Sequence, residues 1–186
     1  MSGGSNAMQL GLWMEAGRFR RALLRRLAFL LAYTALAPFA VAAGPQSLLN
    51  HKAPGFTRRA FDGHVLSLAS FRGKVVLLNF WATWCAPCQA EMPTFARWQQ
   101  QYGPQGLQVI GISMDDEPAA ARKVVRKLKL NYPVAMGDAT LGERYGGVLG
   151  LPLTFLIDRR GVIQAEFSGE PNLNAMEERI KTLLER

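Results

Sequence analysis

The chain has 186 residues, 49% of them apolar, a length that fits one globular domain plus an extension. Its formal charge of +8 is concentrated at the start: residues 1–43 contain five arginines and one glutamate, and the other 17 basic and 13 acidic residues leave only +4. This balance excludes the strongly basic surface of a nucleic-acid-binding domain, so we predict no nucleic-acid partner.

The N-terminal segment predicts export. RFRRALLRR (18–26) is a positively charged stretch, and LAFLLAYTALAPFAVAA (27–43) is an uncharged apolar run that ends in small residues. Two outcomes stay open: cleavage by a signal peptidase, or retention of residues 27–43 as an inner-membrane anchor, since this run is at the lower limit for spanning a bilayer. In both, the arginines remain cytoplasmic, and residues 44–186 are predicted to lie in the periplasm.

We divide the chain into three parts on these patterns. Residues 1–43 are an N-terminal extension with a signal peptide or membrane anchor, residues 44–60 are a linker or N-terminal segment, and residues 61–186 are the globular domain.

The exported part alternates strand and helix patterns. A short alternating stretch between two glycine turns predicts an edge hairpin, and the continuously apolar VVLLNFW predicts a central strand covered on both faces. The basic cluster ARKVVRKLK alternates with apolar residues at helical spacing, which indicates a solvated helix face rather than a phosphate site. The order of elements predicts an α/β fold with a central mixed sheet flanked by helices. In chain order, the predicted elements are a hairpin near 62–73, a strand at 75–81, a helix from the cysteines to Tyr102, a strand at 107–113, a helix capped by Asp115 or Asp116, a short helix near 141–145, a hairpin of 154–158 with 162–167, and a final helix with an asparagine cap.

The two cysteines of the chain, Cys85 and Cys88, lie three residues apart where the predicted central strand meets a helix. A structural disulfide closing so short a loop would stabilise little, and a structural zinc site needs four ligands, whereas His51 and His64 are not at ligand spacing from the pair. A redox pair fits better, because the amides at a helix N-terminus stabilise a thiolate. We predict that Cys85 attacks a client disulfide and that Cys88 resolves the mixed disulfide.

Two longer stretches carry a family resemblance. VVLLNFWATWCAPCQAEMP (75–93) and GLPLTFLIDRRGVI (150–163) resemble the thioredoxin superfamily, and within it the exported, membrane-associated branch typified by TlpA and ResA. The resemblance covers nearly all of residues 53–186. It implies a thioredoxin fold with an added N-terminal β-hairpin, and a protein-disulfide reductase that needs no cofactor beyond its redox-active disulfide.

The resemblance also implies where clients bind. Leu151-Pro152 is expected to be a cis peptide facing the cysteines, with the backbone of Leu151 pairing with an extended client segment; such bonds are a minority of X-Pro bonds. Trp84, Ala86 and Pro87 are the further expected substrate-binding residues, and Trp84 should be partly exposed beside the reactive sulfur.

Partners follow from the same resemblance. It implies client proteins with disulfides, such as apocytochrome c or a copper-site assembly protein, and a membrane electron donor of the CcdA or DsbD type. One function of another class stays open, and a thiol peroxidase is disfavoured. The two cysteines could bind Cu(I) in a metallochaperone module, since soft thiolates suit that ion. A thiol peroxidase would need a proline seven residues before its cysteine, where this chain has Leu78.

Two residues near the cysteines bear on proton transfer. Cytoplasmic thioredoxins place a buried aspartate six residues before the first cysteine, and that position is Asn79 here, which cannot take up a proton. Glu91, three residues after Cys88, matches the acidic residue of the TlpA and ResA branch. Our hypothesis is that Glu91 exchanges the proton of Cys88 during resolution. The alternative is a solvated glutamate on a helix surface.

Overall fold

The computed structural model describes residues 47–169 and 172–186. Contacts between residues divide the chain into one unit of residues 1–43 and a second of residues 44–186. The predicted export signal, with its apolar run at 27–43, lies outside the described residues. Within the described ranges, no helix is both long enough and apolar enough to cross a bilayer.

A five-stranded mixed sheet forms the centre of the domain, as the α/β prediction requires. Its strands are β3 (Val75–Trp81), β4 (Leu107–Ser113), β5 (Val134–Met136), β6 (Leu153–Ile157) and β7 (Ile163–Ser168), in the order β5-β4-β3-β6-β7. Strands β3, β4 and β5 are parallel, whereas β6 and β7 run antiparallel to their neighbours. All seven residues of β3 are buried, which confirms VVLLNFW as the central strand.

Four α-helices of residues 47–186 pack on this sheet, counted over the part of that range that the structure describes. They are α1 (Ala86–Tyr102), α2 (Pro118–Lys127), α3 (Ala139–Arg144) and α4 (Leu173–Leu184). The sheet face that carries Leu77 and Trp81 packs against the buried sides of α1 and α4, and the opposite face, with Leu78 and Phe80, packs against the hairpin and α3. Alternate residues of β3 therefore enter two separate hydrophobic cores, as the two-residue period of a strand requires.

The predicted N-terminal hairpin is present. It consists of β1 (Thr57–Arg59) and β2 (Val65–Ser67), so its first strand falls within the segment 44–60 that we described as a linker or N-terminal segment. Past the end of β1, Ala60 forms a bridge with Ala135 of β5. The hairpin thereby covers one edge of the central sheet.

The other sheet edge is β7. Residues 50–53 pair with its beginning, where the N–H of Asn50 donates to the carbonyl of Ile163 and the N–H of Ile163 donates to the carbonyl of His51. Within the described residues, no further strand pairs with residues 164–168. Among the described residues, most of the outer side of β7 is therefore unpaired.

One predicted helix cap is wrong and another is confirmed. Helix α2 was expected to be capped by Asp115 or Asp116, but its N-cap is Glu117, whose side chain makes no capping hydrogen bond. The carboxylate of Asp115 instead binds residues at the end of β3 and β4, which removes it from its own helix. The final helix α4 does have an asparagine cap, Asn172, whose side chain accepts two backbone N–H groups.

Candidate active site

The two cysteines lie at the first turn of α1 and form a disulfide. Cys85 is the N-cap residue, and its Sγ accepts a hydrogen bond from the Cys88 N–H at 3.3 Å. Pro87 occupies the first turn, where a missing N–H costs no helical hydrogen bond. Cys85 is 5% exposed and Cys88 is fully buried, so Cys85 is the more accessible residue of the pair.

The residues around the disulfide separate into core and surface. Trp81, the last residue of β3, is fully buried, whereas Trp84, three residues later, is 72% exposed. Ala86 is also exposed and Pro87 is half-buried. The expected exposure of Trp84 beside the reactive sulfur is therefore confirmed, and Trp81 belongs to the core.

The Leu151–Pro152 peptide bond is cis, as predicted. Strand β6 begins immediately afterwards, and its first residue, Leu153, lies opposite Phe80 near the end of the antiparallel β3. The start of β6 and the end of β3 thus lie at the same end of the sheet, measured along the strands. The cysteines follow β3 at this end. The cis proline and the disulfide are therefore brought to one end of the domain.

A groove of about 470 Å³ lies beside the cis proline. Leu151 lines it together with Leu149, which is 91% exposed, and Glu166 of β7. Tyr145 also lines the groove; its hydroxyl donates to the carbonyl of Pro54 at 2.7 Å, and burial raises the pKa of Tyr145, so the side chain is uncharged. The groove is thus mainly apolar, with a single carboxylate among these lining side chains.

Asn79 links two strands within the core. Its side-chain Nδ2 donates to Oγ1 of Thr154 at 2.9 Å, and the two residues lie directly opposite each other in the β3–β6 pair. Both are buried, and the Asn79 Oδ1 has no hydrogen-bond partner in the described part of the chain. The Asn79 amide therefore joins β3 to β6 within the core.

Glu91 lies on the buried side of α1. It is 5% exposed and sits one turn after Cys88, in the stripe that continues with Met92 and Phe95. Residues three and four apart on a helix share a face, so Glu91 and Cys88 both lie between α1 and the sheet. This burial excludes the alternative of a solvated glutamate.

A polar network that was not predicted from the sequence, here called the Asp115 network, consists of Thr83, Gln89, Ser113 and Asp115. The Thr83 N–H lies 3.0 Å from both carboxylate oxygens of Asp115, and its Oγ1 donates to the same carboxylate at 2.6 Å. The Ser113 hydroxyl donates to Asp115 at 2.8 Å, and Gln89 Nε2 donates to the Thr83 carbonyl at 2.7 Å. The sequence did contain a signal for this contact, because Thr83 and Asp115 each follow a predicted strand. Neighbouring parallel strands finish at the same end of the sheet, which brings the residues after them close together.

Comparison with known proteins agrees with this geometry. The AhpC/TSA family matches residues 49–166. Thiol-disulfide oxidoreductase ResA from Bacillus thuringiensis subsp. konkukian is 34% identical over 135 residues, covering 73% of this chain and 78% of the relative. The thioredoxin-like protein YneN from Bacillus subtilis is 32% identical over 132 residues, covering 69% and 76%.

Solved structures show the same fold. The crystal structure of a thiol:disulfide interchange protein of the thioredoxin family from Chlorobium tepidum superposes with a TM-score of 0.67 at 29% identity. The superposition covers 72% of this chain and 95% of that one. The thioredoxin fold predicted from the sequence is thereby confirmed, including the central mixed sheet and the added two-stranded sheet near the N-terminus.

Proposed function

The chain belongs to the AhpC/TSA family and is a thiol-disulfide oxidoreductase, and we propose that it reduces the disulfides of client proteins in the periplasm. The observation that carries the proposal is the position of Cys85. It caps the N-terminus of α1 and is the more exposed sulfur of the pair. A thiolate at this place gains stabilisation from backbone amides and from the helix dipole.

The reaction has two thiol-disulfide exchanges. The Cys85 thiolate attacks one sulfur of the client disulfide, forms a mixed disulfide and releases the other client sulfur as a thiolate. The Cys88 thiolate then attacks Cys85 Sγ, which releases the second client sulfur and leaves the Cys85–Cys88 disulfide. Two electrons pass from the enzyme to the client, so a dithiol donor must reduce the enzyme before the next cycle.

Glu91 is the proposed proton acceptor for Cys88. Cys88 is buried, so its proton has to pass to a nearby group before the thiolate can attack. Asn79 offers an amide that cannot take up a proton, whereas Glu91 lies one turn from Cys88 on the same side of α1. A carboxylate can accept a proton and return it, so a buried Glu91 on this side of α1 suits proton exchange with Cys88.

The client is proposed to bind across the cis-proline end of the domain. An extended segment would pair with the backbone of Leu151 and extend into the groove beside it, with Trp84, Ala86 and Pro87 contacting residues near its disulfide. The exposure of Trp84 and Leu149 supports this, because large apolar side chains open to solvent mark binding surfaces.

The proposed partners match an exported reductase. The export signal at residues 18–43 would place the domain where proteins are oxidised, so electrons have to come from a membrane donor of the CcdA or DsbD type. Candidate clients are apocytochrome c and copper-site assembly proteins. Association with the inner membrane would go through residues 27–43.

Trapping tests this proposal. In the native host, Cys88→Ala should accumulate periplasmic proteins linked to Cys85 by disulfides, because the resolving step is removed. The Cys85→Ala/Cys88→Ala variant is the matched control and should trap nothing. In cells with the unmodified protein, thiol labelling should find the pair mainly as a dithiol; a pair found mainly as a disulfide would overturn the reducing direction.

The role of Glu91 needs a separate measurement. A mixed disulfide of Cys85 with a small thiol can be resolved by Cys88 at a series of pH values in the unmodified protein and in Glu91→Gln. We expect slower resolution and an altered pH profile in the variant. An unchanged rate and profile would remove Glu91 from the mechanism without affecting the roles of the cysteines.

A further inference from the structure

We propose that Asp115 is a positioning residue for Cys85 and that it acts through Thr83. Asp115 follows β4, and Thr83 lies between the end of β3 and the N-cap of α1, two residues before Cys85. Their contact joins positions 32 residues apart in the chain. It therefore connects the loop that carries the reactive sulfur to the neighbouring strand of the sheet.

Every polar group of Thr83 is used in the Asp115 network. Its N–H and its hydroxyl both donate to the carboxylate of Asp115, and its carbonyl accepts from Gln89 Nε2. Gln89 belongs to α1, so Thr83 is held on one side by Asp115, just after β4, and on the other side by the helix. The Ser113 hydroxyl donates to the second oxygen of Asp115 and fixes the carboxylate itself.

This arrangement bears on reactivity as well as on folding. In the disulfide, the Cys88 N–H donates to Cys85 Sγ at 3.3 Å, which places this sulfur at the N-terminus of α1. In the reduced protein, amides at a helix N-terminus stabilise a thiolate in that position. The interaction of an anion with a helix N-terminus depends on direction and decreases within one turn. If the loop lets Cys85 shift relative to these amides, the thiolate loses part of this stabilisation and the pKa of Cys85 rises, while the helix stays folded.

The use of Asp115 is specific to this loop. An aspartate shortly before Pro118 is well placed to cap α2, yet α2 begins after Glu117 with no side-chain cap. The carboxylate is thus directed away from the helix that follows it and towards the loop before Cys85. Charge-assisted hydrogen bonds of this kind are stronger than neutral ones.

The proposal rests on Cys85 being the attacking thiol, and the experiment separates the two ideas. The reduced protein is alkylated with iodoacetamide over a range of pH, and the modified cysteine is identified by peptide mass analysis. Thr83→Val removes the hydroxyl and keeps the side-chain shape, whereas Thr83→Ser keeps the hydroxyl. Thr182→Val is the matched control, because the Thr182 hydroxyl also donates a hydrogen bond, to the Glu178 carbonyl of α4.

We expect the midpoint of Cys85 alkylation in Thr83→Val to move upward by about half a pH unit, the size of a partial loss of helix-terminus stabilisation. The midpoint in Thr83→Ser and Thr182→Val should equal that of the unmodified protein. Gln89→Leu removes the second contact to Thr83 and should move the midpoint in the same direction, which provides a test if Thr83→Val does not fold.

The outcomes are distinct. Midpoints that stay unchanged in Thr83→Val and Gln89→Leu, even with lowered stability in urea, would show a purely structural network and overturn the inference. An equal shift in Thr182→Val would do the same. Alkylation of Cys88 before Cys85 in the unmodified protein would instead contradict the proposed function, whatever the variants do.

Discussion

Two loops of this domain are each closed by one aspartate, but the carboxylates come from different distances along the chain. Asp158 accepts the backbone N–H groups of Arg160 and Val162, both at 2.9 Å, within its own β6–β7 turn. Asp115 binds Thr83 in a loop 32 residues earlier. The local carboxylate shapes a turn, whereas the remote one fixes the loop of the reactive cysteine, so the two should differ in what their loss affects.

The largest expected difference is in activity. Asp115→Ala should lower the rate of disulfide reduction about tenfold or more, because small misplacements of reacting groups are costly. Asp158→Ala should leave the rate within about twofold, since its turn lies away from the cysteines. Both rates can be measured with insulin as the disulfide substrate. Equal losses in the two variants would remove the distinction between the loops.

The next effect concerns another remote contact, the one between Asn79 and Thr154. Thr154→Val should lower the free energy of unfolding by about 1–3 kcal/mol, because the buried Asn79 amide loses its acceptor. Replacing both partners, in Asn79→Leu/Thr154→Val, should recover part of this loss. Urea unfolding measures both values, and a double variant that is less stable than Thr154→Val would contradict the explanation.

A smaller, pH-dependent effect is expected for Asp158. Burial raises the pKa of this carboxyl, but hydrogen bonds from Val162 and Arg160 outweigh it, so the pKa lies below its usual value of 3.8. The stabilisation is then fully present above that usual value and is lost as the pH falls through the lowered pKa. Asp158→Asn should cost about 1 kcal/mol at pH 7 and clearly less at pH 3 in urea unfolding. If the two proteins differ in unfolding free energy by the same amount at both pH values, the charge of Asp158 is not the source of the stabilisation.

The smallest effect is expected for Arg58, which pairs with Asp138 at 2.7 Å on the surface. Arg58→Gln should change the free energy of unfolding by less than about 1 kcal/mol, and added salt should reduce the difference. Asp138 keeps its second role, since it accepts the Leu141 N–H as the cap of α3. A larger, salt-independent loss would show that the hairpin depends on this ion pair.

The distance along the chain between contacting residues also explains which features could be predicted from the sequence. Features that depend on near neighbours were found: the buried VVLLNFW strand, the asparagine cap of α4 and the redox pair at a helix start. Asp115 was predicted to cap α2, because an aspartate shortly before a proline is typical of a helix N-terminus. Its actual partner, Thr83, is distant in the sequence. The Asn79–Thr154 contact needs the register of β3 and β6, which no short stretch of sequence contains.

At Pro152, the family resemblance predicted a feature that local sequence patterns did not. Residue spacing alone gives Pro152 the role of a plain strand-start proline, and only the resemblance predicted its cis peptide and its place beside the cysteines. Buried packing of Glu91 is likewise decided by the way α1 lies on the sheet. The fold was therefore predictable in outline, and the contacts that tune the site were not.

The open side of β7 has a consequence for solubility. Unpaired strand edges are templates for pairing with another chain, and charged side chains on them oppose this. The other edge of the sheet is covered by the hairpin, so β7 carries the risk, and the exposed Glu166 lies within its open stretch. A neutral β-branched residue at this position would promote edge-to-edge aggregation at high protein concentration while leaving the folded domain itself nearly as stable as before.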